Sequence, residues 1–136
     1  MTNPTRPAER TILGTVEEVS VRGRTGSLRV LAKIDTGAAR TSLDTDLAKR
    51  LGLGPVVDHV RIRAAAADEP EKRDVVATVI AIAGREFDVE VAITDRTDMR
   101  YHMIVGMDVF RESGFLVDPS KGDTREHRAR KDTPHP

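Results

Sequence analysis

The chain has no cysteine and no tryptophan, and it has few aromatic side chains of any kind. Without Cys among its 136 residues, disulfides, thiolate metal sites and Cys nucleophiles are all excluded. The four aromatic residues are Phe87, Tyr101, Phe110 and Phe115. The core must therefore be built mainly from aliphatic side chains, and a chain of this length is expected to form one domain.

An excess of charge of one sign is also missing, because 22 Lys and Arg balance 22 Asp and Glu. Such a balance provides no basic field for nucleic acid or an anionic membrane surface, so neither is expected as a partner. No apolar run approaches the length of roughly 18 residues that indicates a membrane-spanning helix. The polar start, Met1–Arg10, does not resemble a signal peptide. These absences predict a cytoplasmic protein.

The two ends of the chain are poor in residues that build a core. Residues 1–10 are polar with two prolines, and Pro119–Pro136 contains no Val, Ile, Leu, Phe or Met. Such segments bury too little apolar surface to offset the entropy of ordering. We therefore expect a flexible segment over residues 1–10, a folded domain over residues 11–118 and a disordered polar tail over residues 119–136. A domain of this size would gain stability from a partner subunit.

Between the ends, apolar and polar residues mostly alternate, which predicts strands. The predicted strands are Ile12–Val21, Leu28–Ile34, Val57–Arg63, Val75–Ala83 and Phe87–Ile93, with hairpin turns at Arg22–Ser27 and Gly84-Arg85. Short helices are predicted at Asp44–Leu51 and Met107–Glu112. Many short strands with two brief helices predict an all-β fold, in the form of a small closed or nearly closed barrel.

Two separated motifs carry most of the information about function. In the first, an apolar strand runs into Asp35-Thr36-Gly37-Ala38; alone, this would be an ordinary Asp/Gly turn. The second, Ile104-Val105-Gly106, comes much later and precedes a helical turn. The pair in this order is typical of pepsin-like half-barrels, where the second glycine lets its strand pass close beneath the Asp loop.

The chemistry of aspartic proteases accounts for these residue types. Hydrolysis of an amide by carboxylates needs two of them across one water, one ionised and one protonated. The chain contains a single Asp-Thr-Gly. Two copies must therefore form a C2 homodimer in which each subunit supplies its Asp35. Thr36 would link the two loops through its hydroxyl, and Gly37 would let backbone N–H groups approach the carboxylate. The predicted substrate-binding residues are Ala38, Ala39, Ile104, Val105 and Gly106.

Longer segments extend the likeness to one family. They are Ile12-Leu13-Gly14, Ala32–Ala38 with Arg40–Leu43, Thr94–Met99 leading to Tyr101–Gly106, and Phe115–Asp118. The chain resembles the retropepsin-like family known as ATP-dependent zinc proteases, which are associated with RimK-type ATP-grasp ligases that add glutamates to a ribosomal protein tail. The resemblance implies a half-barrel with one lobe per chain and a dimer. In such a dimer we expect terminal strands such as Phe115–Asp118 to pair across the two-fold. It also implies peptide processing, with acidic or glutamylated tails as substrates.

The positions of the histidines do not support the zinc site that this family name suggests. His59, His102, His127 and His135 include no close pair and no HExxH helix, whereas a catalytic zinc site usually needs three protein ligands. No metal or other cofactor is therefore expected.

A retropepsin also needs a mobile flap over the peptide. The best candidate is Arg63–Arg73, for which a plain solvated loop is the alternative. Six arginines could surround a cleft and favour acidic peptides, although scattered cations usually serve solubility. They are Arg40, Arg61, Arg63, Arg73, Arg96 and Arg100.

The sequence thus favours a homodimeric retropepsin-like aspartic endopeptidase that cleaves a peptide or a protein tail. Two alternatives stay open. One is a catalytically silent binding or interaction module on the same scaffold, since fold does not determine function. The other is a metal-dependent hydrolase, as the family name says.

Overall fold

A computed structural model describes residues 10–62 and 69–124. In chain order the elements are β1 (Ile12–Leu13), β2 (Val16–Gly23), β3 (Gly26–Ile34), β4 (Ser42–Asp44), α1 (Thr45–Leu51), β5 (Val56–Ile62), β6 (Glu71–Ile82), β7 (Arg85–Thr94), β8 (Met103–Val105), α2 (Met107–Ser113) and β9 (Leu116–Val117), followed by a 3-10 helix at Pro119–Lys121. The predicted all-β class with two short helices is confirmed.

Most of the strands belong to one sheet that closes on itself. Its order is β2-β3-β8-β4-β7-β6-β5, and β2 also pairs with β6, with Val21 opposite Ile80. Six strands therefore form a barrel, and β5 extends outside it as the outer strand of the β5–β6 hairpin. β1 and β9 form a separate parallel pair in which Ile12 lies opposite Leu116.

Alternation along the strands separates the barrel interior from solvent. In β3, Val30, Ala32 and Ile34 are buried while Arg29 and Lys33 are exposed. β7 repeats the pattern, because its odd-numbered residues from Phe87 to Val91 are buried and its acidic residues are exposed. The core is therefore aliphatic with a few Phe rings, as the composition predicted.

Both helices are short and lie within one residue of the predicted bounds at each end. α1 is capped by Asp44, whose Oδ2 accepts a hydrogen bond from Asp46 N at 3.2 Å, and it ends at Gly52 with φ 67°. α2 follows Gly106 and ends at Gly114 with φ 70°. No helix in the described ranges is long and apolar enough to cross a membrane.

The C-terminal end differs from the expectation that the polar tail begins at residue 119. The backbone N–H groups of Thr15 and Val16 both donate to Gly122 O, at 2.7 and 3.3 Å. Asp118 N donates to Leu13 O at 2.8 Å. These bonds join main-chain groups, so residues 119–124 gain contacts that need no apolar side chains. Residues 125–136 of the predicted tail and residues 1–9 lie outside the described residues.

Within the subunit, strand β9 pairs with β1, because Leu116 N donates to Thr11 O at 3.0 Å. One edge of β9 is therefore satisfied within the subunit. The pairing of Phe115–Asp118 across a dimer axis concerns its other edge and stays a prediction.

The hairpin between β6 and β7 turns one residue earlier than predicted. Ile82 pairs with Arg85, so the two loop residues are Ala83 and Gly84 rather than Gly84 and Arg85. Both have positive φ, 52° and 78°, which is the geometry of a type I′ turn. Ala83 thus occupies a left-handed conformation that its Cβ disfavours.

We predict that Ala83→Asn stabilises the domain by up to about 1 kcal/mol, because Asn tolerates the left-handed region and Asn-Gly is the preferred type I′ pair. Denaturant unfolding monitored by circular dichroism measures the change. Ala77→Asn is the matched control: Ala77 is an exposed residue within β6, where Asn is a poor strand former, so stability should stay equal or fall. A loss of stability in Ala83→Asn would contradict this description of the turn.

Candidate active site

Asp35 lies in the turn that directly follows β3, at the point where β3 runs beside β8. Its N–H donates to Val105 O at 2.9 Å, which continues the parallel pairing of Ile34 with Val105. The turn then folds back onto the acid: Gly37 N donates to Asp35 Oδ1 at 3.0 Å, and Ala38 N donates to Asp35 O at 3.1 Å. One carboxyl oxygen is thus held by the turn, while the side chain stays half-buried at the surface.

Gly106 lies against the underside of this loop. A Cβ at Gly106 would lie 2.8 Å from Ala38 O and 2.8 Å from the carbonyl carbon of Arg40, closer than real Cβ contacts allow. The next residue, Met107, donates its N–H to Ala38 O at 2.8 Å. The close passage that the sequence predicted for this glycine is therefore present.

Asp108 is a second anchor of the loop, and the sequence reasoning missed it. It accepts two hydrogen bonds from Thr41, from the backbone N–H at 3.0 Å and from the hydroxyl at 2.7 Å. The Thr41 hydroxyl oxygen in turn accepts from Gly106 N at 3.1 Å. An acid in the first turn of a helix is usually explained by the helix dipole, so nothing in the sequence pointed from Asp108 to Thr41.

The remaining predicted site residues occupy two different places. Thr36 is exposed at the tip of the turn beside Gly37. Ala38, Ala39 and Ile104 line a cavity of about 520 Å³ next to the turn. Val105 and Gly106 are buried beneath the turn and are absent from the lining of that cavity.

Four of the six arginines noted in the sequence line this same cavity. They are Arg40, Arg61, Arg73 and Arg96, and they share its wall with the apolar residues Val60, Ile62, Ala92 and Ile104. Arg100 instead lies over the ring of Tyr101, 5.4 Å from its centroid. Arg63 falls outside the described residues.

The predicted flap segment, Arg63–Arg73, is described only at its end. Residues 71–73 belong to β6 and pair with β5, with Glu71 opposite Ile62 and Arg73 opposite Val60. Residues 63–68 lie outside the described residues. The hairpin that carries this segment contributes Val60, Arg61 and Ile62 to the cavity.

The described side chains do not fit a zinc site. Across residues 10–62 and 69–124, no three His, Asp or Glu side chains come close enough to hold a metal ion. His59 Nδ1 lies 3.0 Å from Asp74 Oδ1 on the exposed face of the β5–β6 hairpin, and His102 is exposed.

The sequence of residues 43–128 matches the model of the RimB-like family, described as the retropepsin-like aspartic endopeptidase RimB. The chain belongs to this family. The match begins after the Asp35-Thr36-Gly37 turn, so the identity of the candidate acid rests on the motif and its geometry. The predicted resemblance to a retropepsin-like family is confirmed.

Solved structures confirm the retropepsin-like fold of this RimB-like chain. A Legionella pneumophila protein of unknown function superposes with a TM-score of 0.56, at 21% identity over 84% of this chain and 97% of that chain. EIAV protease, solved with the inhibitor HBY-793, superposes with a TM-score of 0.55, at 16% identity over 85% of this chain and 99% of that chain.

A relative by sequence is a much longer protein. A probable alpha-L-glutamate ligase of Shewanella pealeana is 39% identical over 66 residues, which are 48% of this chain and 14% of the ligase. The RimB-like chain therefore spans only a small part of the length of this relative.

We predict that Thr41→Val destabilises the domain by about 1–3 kcal/mol, because it leaves the buried Gly106 N–H without an acceptor and removes one bond to Asp108. Thr25→Val is the matched control, since its hydroxyl donates to Arg50 O at an exposed position, where water replaces the lost bond. Equal unfolding free energies for the two variants would contradict the anchoring role of Thr41.

Proposed function

We propose that the chain is an aspartic endopeptidase that works as a homodimer, with Asp35 of each subunit acting on one shared water. The observation that carries the proposal is the turn that presents Asp35, fixed by Val105 and Gly106 in a retropepsin-like barrel. The sequence holds a single Asp-Thr-Gly, so one chain supplies half of the pair. A second copy related by a two-fold axis supplies the other half.

The reaction follows from the pairing of the two acids. Two carboxyls a few ångströms apart share one proton, because both cannot ionise cheaply. The ionised Asp35 removes a proton from the water, and the protonated one donates a hydrogen bond to the peptide carbonyl. Water oxygen bonds to the carbonyl carbon, and the C–N bond of the tetrahedral intermediate then breaks as the amine nitrogen takes up a proton. The products are a carboxylic acid and an amine.

Neighbouring groups of the turn support this arrangement. The Gly37 N–H holds Asp35 Oδ1 and so orients the carboxyl. Thr36 is exposed at the tip, which supports a contact between its hydroxyl and the loop of a second subunit. Ala38 and Ala39 line the cavity, and their small methyl side chains leave room for a peptide main chain.

We further propose that the substrates are acidic peptides, such as glutamate-rich or glutamylated protein tails. Two observations support this class. Four arginines line the cavity beside the turn, and a sequence relative is described as a probable alpha-L-glutamate ligase. A cationic cleft favours a peptide that carries carboxylates.

We predict that Asp35→Asn lowers the turnover of an acidic peptide at least about 100-fold, because the amide cannot take a proton from water. The variant is nearly isosteric, so dimer mass and melting temperature should stay unchanged. Asp88→Asn, on the exposed face of β7, is the matched control and should keep full activity. Undiminished turnover by Asp35→Asn would refute the assignment of the acid, and peptide binding without any cleavage by the parent would identify a binding module.

A further inference from the structure

Arg96 is a buried cation at the wall of the arginine-lined cavity. The residue is only 9% exposed, yet it lines the cavity beside the Asp35 turn. Among the described residues, no carboxylate lies within ion-pair distance of its guanidinium. Arginine remains protonated at any ordinary pH, so the fold keeps a charge that burial disfavours and that no described carboxylate contacts directly.

The surrounding charges act on Arg96 in both directions. Burial lowers the pKa of Arg96 below its ordinary value, and the neighbouring cation Arg73 lowers it further, whereas Asp44 and Asp35 raise it. Arg96 therefore lies within electrostatic reach of the candidate catalytic acid. A positive field is concentrated in a partly enclosed space beside the place where a peptide would be cleaved.

Arg96 is also held rigidly. Its backbone N–H donates to Asp44 Oδ1 at 2.7 Å, and its Nε donates to Tyr101 O at 2.9 Å. Asp44 is itself fixed, because its N–H donates to His102 O at 2.9 Å and its other carboxyl oxygen caps α1. These bonds orient the guanidinium and leave its two Nη groups without a hydrogen-bond partner among the described residues. Two parallel N–H donors match the geometry of a carboxylate.

The other residues of the cavity suit an acidic side chain with an apolar stem. Arg61 is exposed and forms no ion pair with a described residue, while Arg73 already pairs with Glu71 at 2.8 Å. Ala92 and Ile104 offer apolar contact for methylene groups. A second cavity of about 570 Å³ has carboxylates in its wall, namely Asp88, Glu90, Asp108 and Glu112, and would repel the same ligand.

We propose that Arg96, assisted by Arg61 and Arg73, forms a subsite that binds a side-chain carboxylate of the peptide next to Asp35 and so selects glutamate over glutamine at that position. The inference rests on the proposed function for the presence of a peptide there. The subsite itself needs no cleavage, so binding tests it separately.

The test uses the full chain carrying Asp35→Asn and two fluorescent peptides of equal length, an oligoglutamate and an oligoglutamine. Fluorescence anisotropy at fixed salt should show oligoglutamate bound at least about tenfold more tightly. Adding Arg96→Met should remove most of this preference while oligoglutamine binding stays unchanged. Arg96→Lys, which keeps the charge but loses the paired donors, should give an intermediate preference. Arg50→Gln, an exposed arginine in the last turn of α1, is the matched control and should change nothing.

Each outcome supports or refutes the Arg96 subsite. If Arg96→Met folds and keeps the full preference, or if Arg50→Gln weakens it equally, the subsite is refuted. Should Arg96→Met fail to fold, Arg61→Gln combined with Arg73→Gln replaces it, and an unaltered preference in that variant refutes the proposal. Binding that behaves as expected in a parent chain that cleaves no peptide would overturn the endopeptidase assignment and leave the subsite standing. Cleavage by the parent with equal binding of both peptides would support the endopeptidase assignment and refute the subsite.

Discussion

The close packing of β8 against the Asp35 loop is the constraint on which the site depends. β8 lies between β3 and β4, the two strands that the loop connects, so it pairs with the chain both before and after the acid. The absent side chain of Gly106 lets the carbonyl groups of Ala38 and Arg40 approach to distances that a methyl group would forbid. Thr41 and Asp108 then tie the end of the loop to α2. The acid is thereby positioned by rigid barrel strands rather than by a free loop.

Although the total charge is balanced, acidic and basic side chains are concentrated in different parts of the fold. Acidic residues occupy the outer face of β7, while arginines from four separate segments meet at the cavity beside Asp35. Asp44 connects these features, since one of its carboxyl oxygens caps α1 and the other holds the backbone of Arg96. A single buried carboxylate thus couples the start of a helix to the orientation of a cavity-lining cation.

Local patterns predicted much of this architecture because they report on local physics. Alternation located β3 and β7, since only one face of each is buried, and the paired motifs located Asp35 and Gly106. What the sequence could not supply depends on the positions of distant segments. The turn at Ala83-Gly84 depends on strand register, the contacts of Gly122 are made by main-chain atoms, and the Thr41–Asp108 bonds join residues 67 positions apart. Among the arginines, only the fold distinguishes Arg96, buried at the cavity, from Arg100 on the surface.

A subunit-mixing measurement tests whether each active site takes one Asp35 from each of two chains. Parent chain and the Asp35→Asn variant would be unfolded together in equal amounts, refolded and assayed on an acidic peptide. If both acids are required, only parent–parent dimers are active, and activity per total protein falls to about a quarter of that of the parent alone. Activity of about a half would mean that each chain works by itself, and an active site shared between two subunits would be refuted.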